Sequence, residues 1–97
     1  MKNSAAPPSH LSAAGKAMWR AMLDDFHVED AAGLALLRVA CESFDRSEDA
    51  RRTIRKEGAV IKDRFGQCKV HPAALIERDA KTQMVAALRA LKLEPGD

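Results

Sequence analysis

The fifteen residues from Gly58 to Pro72, GAVIKDRFGQCKVHP, constrain this chain most, because they place one short β-hairpin between two long helical segments. Gly58 closes a run of helical spacing. The segments AVIKDR and QCKV then have the length and composition of extended arms, and Phe65-Gly66 supplies a turn in which glycine can adopt φ > 0. Pro72 opens the next helix at its first position, where a missing N–H costs nothing. The hairpin is therefore expected over residues 59–70. A helix–hairpin–helix order is an uncommon use of 97 residues, and it excludes a sheet-based core.

Apolar spacing sets the helices on either side. Ser12 is a good N-cap for a helix to Asp25, in which Met18, Trp19, Met22, Leu23 and Phe26 recur every three or four residues. Trp19 falls on that stripe and is expected in the core. Glu29 and Asp30 stand where acids favour a helix start, and the second helix is expected to run to Glu57, roughly 40 Å at 1.5 Å per residue. Its first half is apolar almost all round, and its second half keeps only Ala50 and Ile54. The third helix is expected from Pro72 to about Leu91, with Ile76, Ala80, Met84, Ala87, Leu88 and Leu91 on one face and Pro95-Gly96 ending regular structure.

The fold class is thus mostly α: three helices, the central one long, with a short hairpin between the second and third. Length fits one domain over residues 11–95, and the small, polar, proline-containing residues 1–10 are expected to form a flexible arm. With three Phe, one Trp and no Tyr, the core must be built from Ala, Leu, Val, Ile and Met, which suits closely packed helices. Two cysteines are too few for a disulfide scaffold and point to a reduced, intracellular protein. Residues 1–10 have no apolar signal region, and no run approaches the ~18 apolar residues a membrane span needs, so no membrane partner is expected.

Charge is distributed unevenly. Residues 1–50 carry five basic and eight acidic side chains, a net of −3, and residues 51–97 carry eleven and six, a net of +5. Such polarity serves either head-to-tail self-association or presentation of the basic half to a polyanion. Arg51, Arg52, Arg55 and Lys56 follow one another along the second helix, and Lys62, Arg64 and Lys69 lie in the hairpin, against only Glu57 and Asp63. A flexible cationic array of this kind contacts phosphates, and no base-reading motif accompanies it. The bland alternative is a solvated helix face. Leu34, Leu36, Leu37, Val39 and Phe44 give the second helix more apolar surface than one neighbour covers, which points to a homo-oligomer interface unless both flanking helices pack there.

Catalytic motifs are absent: there is no phosphate-cradling loop, no His-Glu-x-x-His and no nucleophile elbow. Cys68-x-x-His71 has the spacing of two zinc ligands, with Cys41 or His27 as conceivable completions, but the second pair of a zinc site is missing. Cys68 is read as a small strand residue and His71 as a helix N-cap. Neither a metal nor a cofactor is expected.

Several of these residues, taken in order, resemble one known family. Leu11, Trp19 and Leu23 in the first helix, Asp30 opening the second, Ala50, Ile54 and Gly58 at its end, Gly66 in the hairpin, His71-Pro72, and Leu91-x-Leu93-x-Pro95 together resemble bacteriophage terminase small subunits of the short P-twenty-seven type, from Leu11 to Pro95. The resemblance implies a non-enzymatic part of a DNA-packaging motor. Such a protein forms a ring of identical subunits, binds double-stranded viral DNA and regulates the ATPase and nuclease of the terminase large subunit in the cytoplasm of the infected bacterial host. Two departures stand out: His71 occupies a position where the family often has Asn, and the sequence stops at Asp97 where the family often continues past its terminal Pro with an Arg and a tail, so a large-subunit contact through such a tail is not expected. A separate N-terminal helix-turn-helix, used by other small terminases, is also not seen, so DNA contacts are expected from the main body. Two readings from other classes remain: a small dimeric helical DNA-binding regulator, and an oligomeric adaptor that touches no nucleic acid.

Overall fold

A computed structural model describes residues 5–93. It contains helix α1 (Ala13–Asp25), helix α2 (Ala31–Glu57), strands β1 (Val60–Lys62) and β2 (Cys68–Val70), and helix α3 (Pro72–Leu91). The hairpin falls between two helices, as its turn and flanking signals required. The expected stop at Pro95-Gly96 lies outside the described residues. Helix α3 ends earlier, where Lys92 adopts the left-handed conformation (φ 48°) and turns Leu93 back onto the core.

Helix α1 begins with a cap that also fixes its place against α2. The Ser12 hydroxyl accepts from the Gly15 amide at 3.1 Å and donates to Asp45 Oδ1 at 2.5 Å, while the Ser12 amide donates to Asp45 Oδ2 at 2.7 Å. This close approach needs Gly15: a Cβ there would stand 2.5 Å from Asp45 Oδ1. Beyond the cap, Leu11, Trp19, Leu23, Val28, Leu37 and Cys41 form the buried core, with Met18, Met22, Phe26, Leu34, Leu91 and Leu93 packed around it. Of the expected arm, Ala5 packs against this core and His10 reaches α2. Trp19 Nε1 donates to the Ala5 carbonyl at 3.0 Å, and His10 Nε2 sits 2.6 Å from Glu42. The reason is the indole N–H, which must find an acceptor when its ring is buried.

Helices α2 and α3 form an antiparallel pair, established by contacts along its length: Glu57 with His71, Arg51 with Glu77, and Arg46 with Gln83. Away from the core the buried positions are small, with Ala40, Ser43, Ser47 and Ala50 on α2 and Ala73, Ala80 and Ala87 on α3. The seven-residue spacing on α3 and the alternating three- and four-residue steps on α2 keep one seam facing the partner helix, as in a coiled coil. The product is a rod of 59 × 23 × 18 Å with a Cα radius of gyration of 16.4 Å. A compact chain of this length would have about 12.5 Å.

The hairpin extends beyond that seam. Val60 pairs with Val70, Ile61 with Lys69, and Lys62 with Cys68 in an antiparallel ladder. It closes through Asp63 N to Gln67 O at 2.9 Å, leaving the three-residue loop Arg64-Phe65-Gly66. Gly66 takes φ 78°, the left-handed residue that such a loop requires. Asp63 stiffens it, its Oδ1 accepting from the amides of Phe65 (2.8 Å) and Gln67 (3.0 Å).

Candidate nucleic-acid interface

Helical spacing separates the four basic residues of α2. Arg52, Arg55 and Lys56 are exposed, Arg52 and Lys56 beside the start of α3, whereas Arg51 lies 4.0 Å from Glu77 on that helix. Arg52 is paired within its own helix with Asp49. Among the described residues Arg55, Lys56 and Lys62 have no ion-pair partner, and all three are exposed. Lys69 lies 4.0 Å from Asp63, and the Arg64 guanidinium sits 5.0 Å from the centre of the Phe65 ring. These surface pairs are loose enough to yield to a phosphate, since exposed ion pairs contribute at most about 1 kcal/mol.

The acids of this end are occupied. Asp63 has a side chain only 14% exposed, its Oδ1 taken by the loop amides and its Oδ2 facing Lys69. Glu57 is held by His71, whose Nε2 lies at 3.0 Å, while His71 Nδ1 accepts from the Ala73 amide at 2.9 Å and so caps α3. That acceptor role places the ring proton on Nε2, where it donates to Glu57. The N-cap expected of His71 is thus observed. Beside the pair an open groove of about 640 Å³ runs between the end of α2 and the start of α3, with Arg52, Lys56 and Ile76 on its walls.

The zinc alternative does not assemble. Cys68 is on the hairpin, Cys41 in the core at the other end of the rod, and both His71 nitrogens are engaged. No three His, Cys, Asp or Glu residues converge among the described residues. Cys41 behaves as a small apolar residue: burial first, then the charges of Asp45 and Glu42, push its thiol up to about 11.

The apolar positions expected at an interface divide in two. Leu37 is completely enclosed, and Leu34 packs against the same cluster, so these side chains hold the chain's own core together. Leu36 and Phe44 are half-buried, and Val39 remains 43% exposed. Among the described residues the other large exposed apolar side chains lie elsewhere, on the hairpin (Val60, Phe65, Val70) and on α3 (Leu75, Ile76, Val85). The exposure of Phe65 had a legible signal, since an aromatic in a tight hairpin loop cannot reach a core. That of Val60 and Val70 had none, because whether a face of a two-stranded ribbon is covered depends on where the helices lie.

A family model described as phage terminase, small subunit, matches residues 15–97. The chain belongs to that family. No curated protein and no solved structure matches it in the same comparisons. The match runs from within α1 through α2, the hairpin and α3, so the cationic end belongs to the body of the small subunit. Membership supplies a role in phage DNA packaging, and terminase small subunits are in general regulatory rather than catalytic, associating with viral DNA and a large subunit. Among the described residues of this small subunit no helix is long and apolar enough to cross a membrane.

Proposed function

We propose that this small subunit assembles into a closed ring, engages double-stranded viral DNA through the cationic end of its rod, and regulates the ATPase and nuclease of the large subunit without turnover of its own. It acts in the cytoplasm of the infected bacterial host. The observation that carries the reading is the arrangement of charge at that end: Arg55, Lys56 and Lys62 are unpaired among the described residues, while Asp63 and Glu57 are turned to internal partners. Arg52, Arg64 and Lys69 complete the phosphate-contacting surface, with Arg51 at its margin because of Glu77.

Self-association uses the apolar surface the chain leaves uncovered, with Val39, Leu36 and Phe44 on α2 meeting a second copy. Head-to-tail association of such a surface with a different patch on the next copy, when it closes, produces rings. DNA binding by the double variant Arg55→Glu/Lys56→Glu tests the reading. Affinity should fall, and the slope of log K against log salt should shrink by about 0.9 for each phosphate that is no longer neutralised. An unchanged affinity and slope, in protein that native mass spectrometry finds fully assembled, would remove the DNA surface. A monomer or dimer at every salt concentration would remove the ring.

A further inference from the structure

The hairpin tip is built unlike a solvated loop. Phe65 is 75% exposed, the most exposed large apolar side chain among the described residues, although nothing in the fold needs an aromatic there. The loop holding it is rigid, fixed by the two Asp63 bonds, the Gly66 N to Asp63 O bond at 3.0 Å and the left-handed Gly66. Cations accompany the ring: the Arg64 guanidinium lies over it at 5.0 Å, Lys62 and Lys69 stand on the two strands that carry the loop, one on each face of the ribbon, and the one hairpin acid, Asp63, is only 14% exposed and 4.0 Å from Lys69. An apolar protein surface would not require basic residues on the loop and on both faces of the ribbon. A polyanion with apolar groups exposed between its charges would.

We infer that the hairpin is a base-reading element, its tip entering the major groove of duplex DNA so that Phe65 packs against thymine methyl groups while Arg64, Lys62 and Lys69 hold the flanking phosphates. A two-stranded ribbon fits the roughly 12 Å major groove, and the thymine C5-methyl is the apolar group displayed there, one that phenylalanine contacts. The inference rests on the DNA-binding reading above and adds a preference for T-containing sites that phosphate contacts cannot confer.

Two duplexes of the same mixed sequence, one with thymine and one with deoxyuridine throughout, differ only in the methyl groups. The assembled wild-type protein should bind the thymine duplex on the order of fourfold more tightly for each methyl buried. Phe65→Ala should bind both duplexes alike, with the salt slope of wild type, because it removes no charge. Phe65→Leu should keep most of the preference. The ring's exposure means that neither change touches the core, and far-UV circular dichroism verifies that. Equal wild-type affinity for both duplexes overturns the inference while leaving the phosphate surface intact. Absence of any DNA binding at low salt overturns the DNA reading itself. A change in subunit number in Phe65→Ala assigns the ring to an interface with a second copy, and overturns the inference too.

Discussion

Substituting Gly15 tests how the first helix is fastened to the second. In an ordinary helix, alanine in place of glycine stabilises by about 1 kcal/mol. Here the new Cβ would stand 2.5 Å from Asp45 Oδ1 and 2.6 Å from Oδ2, so the carboxylate must leave its place. A carboxylate moves easily when free, but this one accepts from the Ser12 amide and hydroxyl at 2.7 and 2.5 Å. Hydrogen bonds to a charged acceptor contribute ~1.5–3 kcal/mol each when sheltered, and at this exposed site about 2 kcal/mol for the two is a fair figure. Gly15→Ala should therefore destabilise by about 1 kcal/mol net. In an Asp45→Ala background, already about 2 kcal/mol less stable, the obstruction is gone and the same substitution should stabilise by about 1 kcal/mol. The sign reverses, and the coupling is about 2 kcal/mol. Urea unfolding followed by far-UV circular dichroism, at one fixed subunit concentration so that assembly does not intrude, measures all four proteins. Gly15→Ala having the same sign and size in both backgrounds would refute the fastening.

Three further outcomes follow from the same geometry. His71→Ala should cost about 1 kcal/mol by removing the acceptor for the Ala73 amide, whereas His71→Asn should retain most of it; equal losses in urea titrations would dismiss the cap. Burial raises the Glu42 pKa, but the hydrogen bonds and charges of His10 and Arg38 outweigh it and hold the carboxyl below the ordinary glutamate range. Its contribution is complete above that range and is lost as pH falls through the lowered folded value, so Glu42→Gln should show a shallower loss of stability on acidification; identical acid slopes would contradict this. At neutral pH a maleimide should label the exposed Cys68 and spare Cys41 until the protein is unfolded, as read by mass spectrometry, and rapid native labelling of Cys41 would place it outside the core.

What the sequence determined by itself was every element whose cause is local. Ser12 caps α1 through the amide three residues ahead, Gly58 and Gly66 mark a helix end and a loop, Pro72 starts α3, and the spacing of Trp19 and Leu23 chooses a buried face. Each of these acts over a few residues, so a single chain read in order displays it. Tertiary structure alone decided which side chains meet across 14 to 37 residues: Glu57 with His71, Ser12 with Asp45, Arg46 with Gln83. Those pairings follow from the register of α2 against α3, which small seam residues fix by shape and which no short pattern announces. The division of the apolar face into an enclosed Leu37 and an exposed Val39 was equally hidden, because α2 is apolar almost all round there and its coverage depends on where α1 and residues 5–11 come to lie. So too with the charges: seven basic residues were countable in the sequence, but which of them keep a carboxylate and which stand free is set by neighbours that only packing brings near.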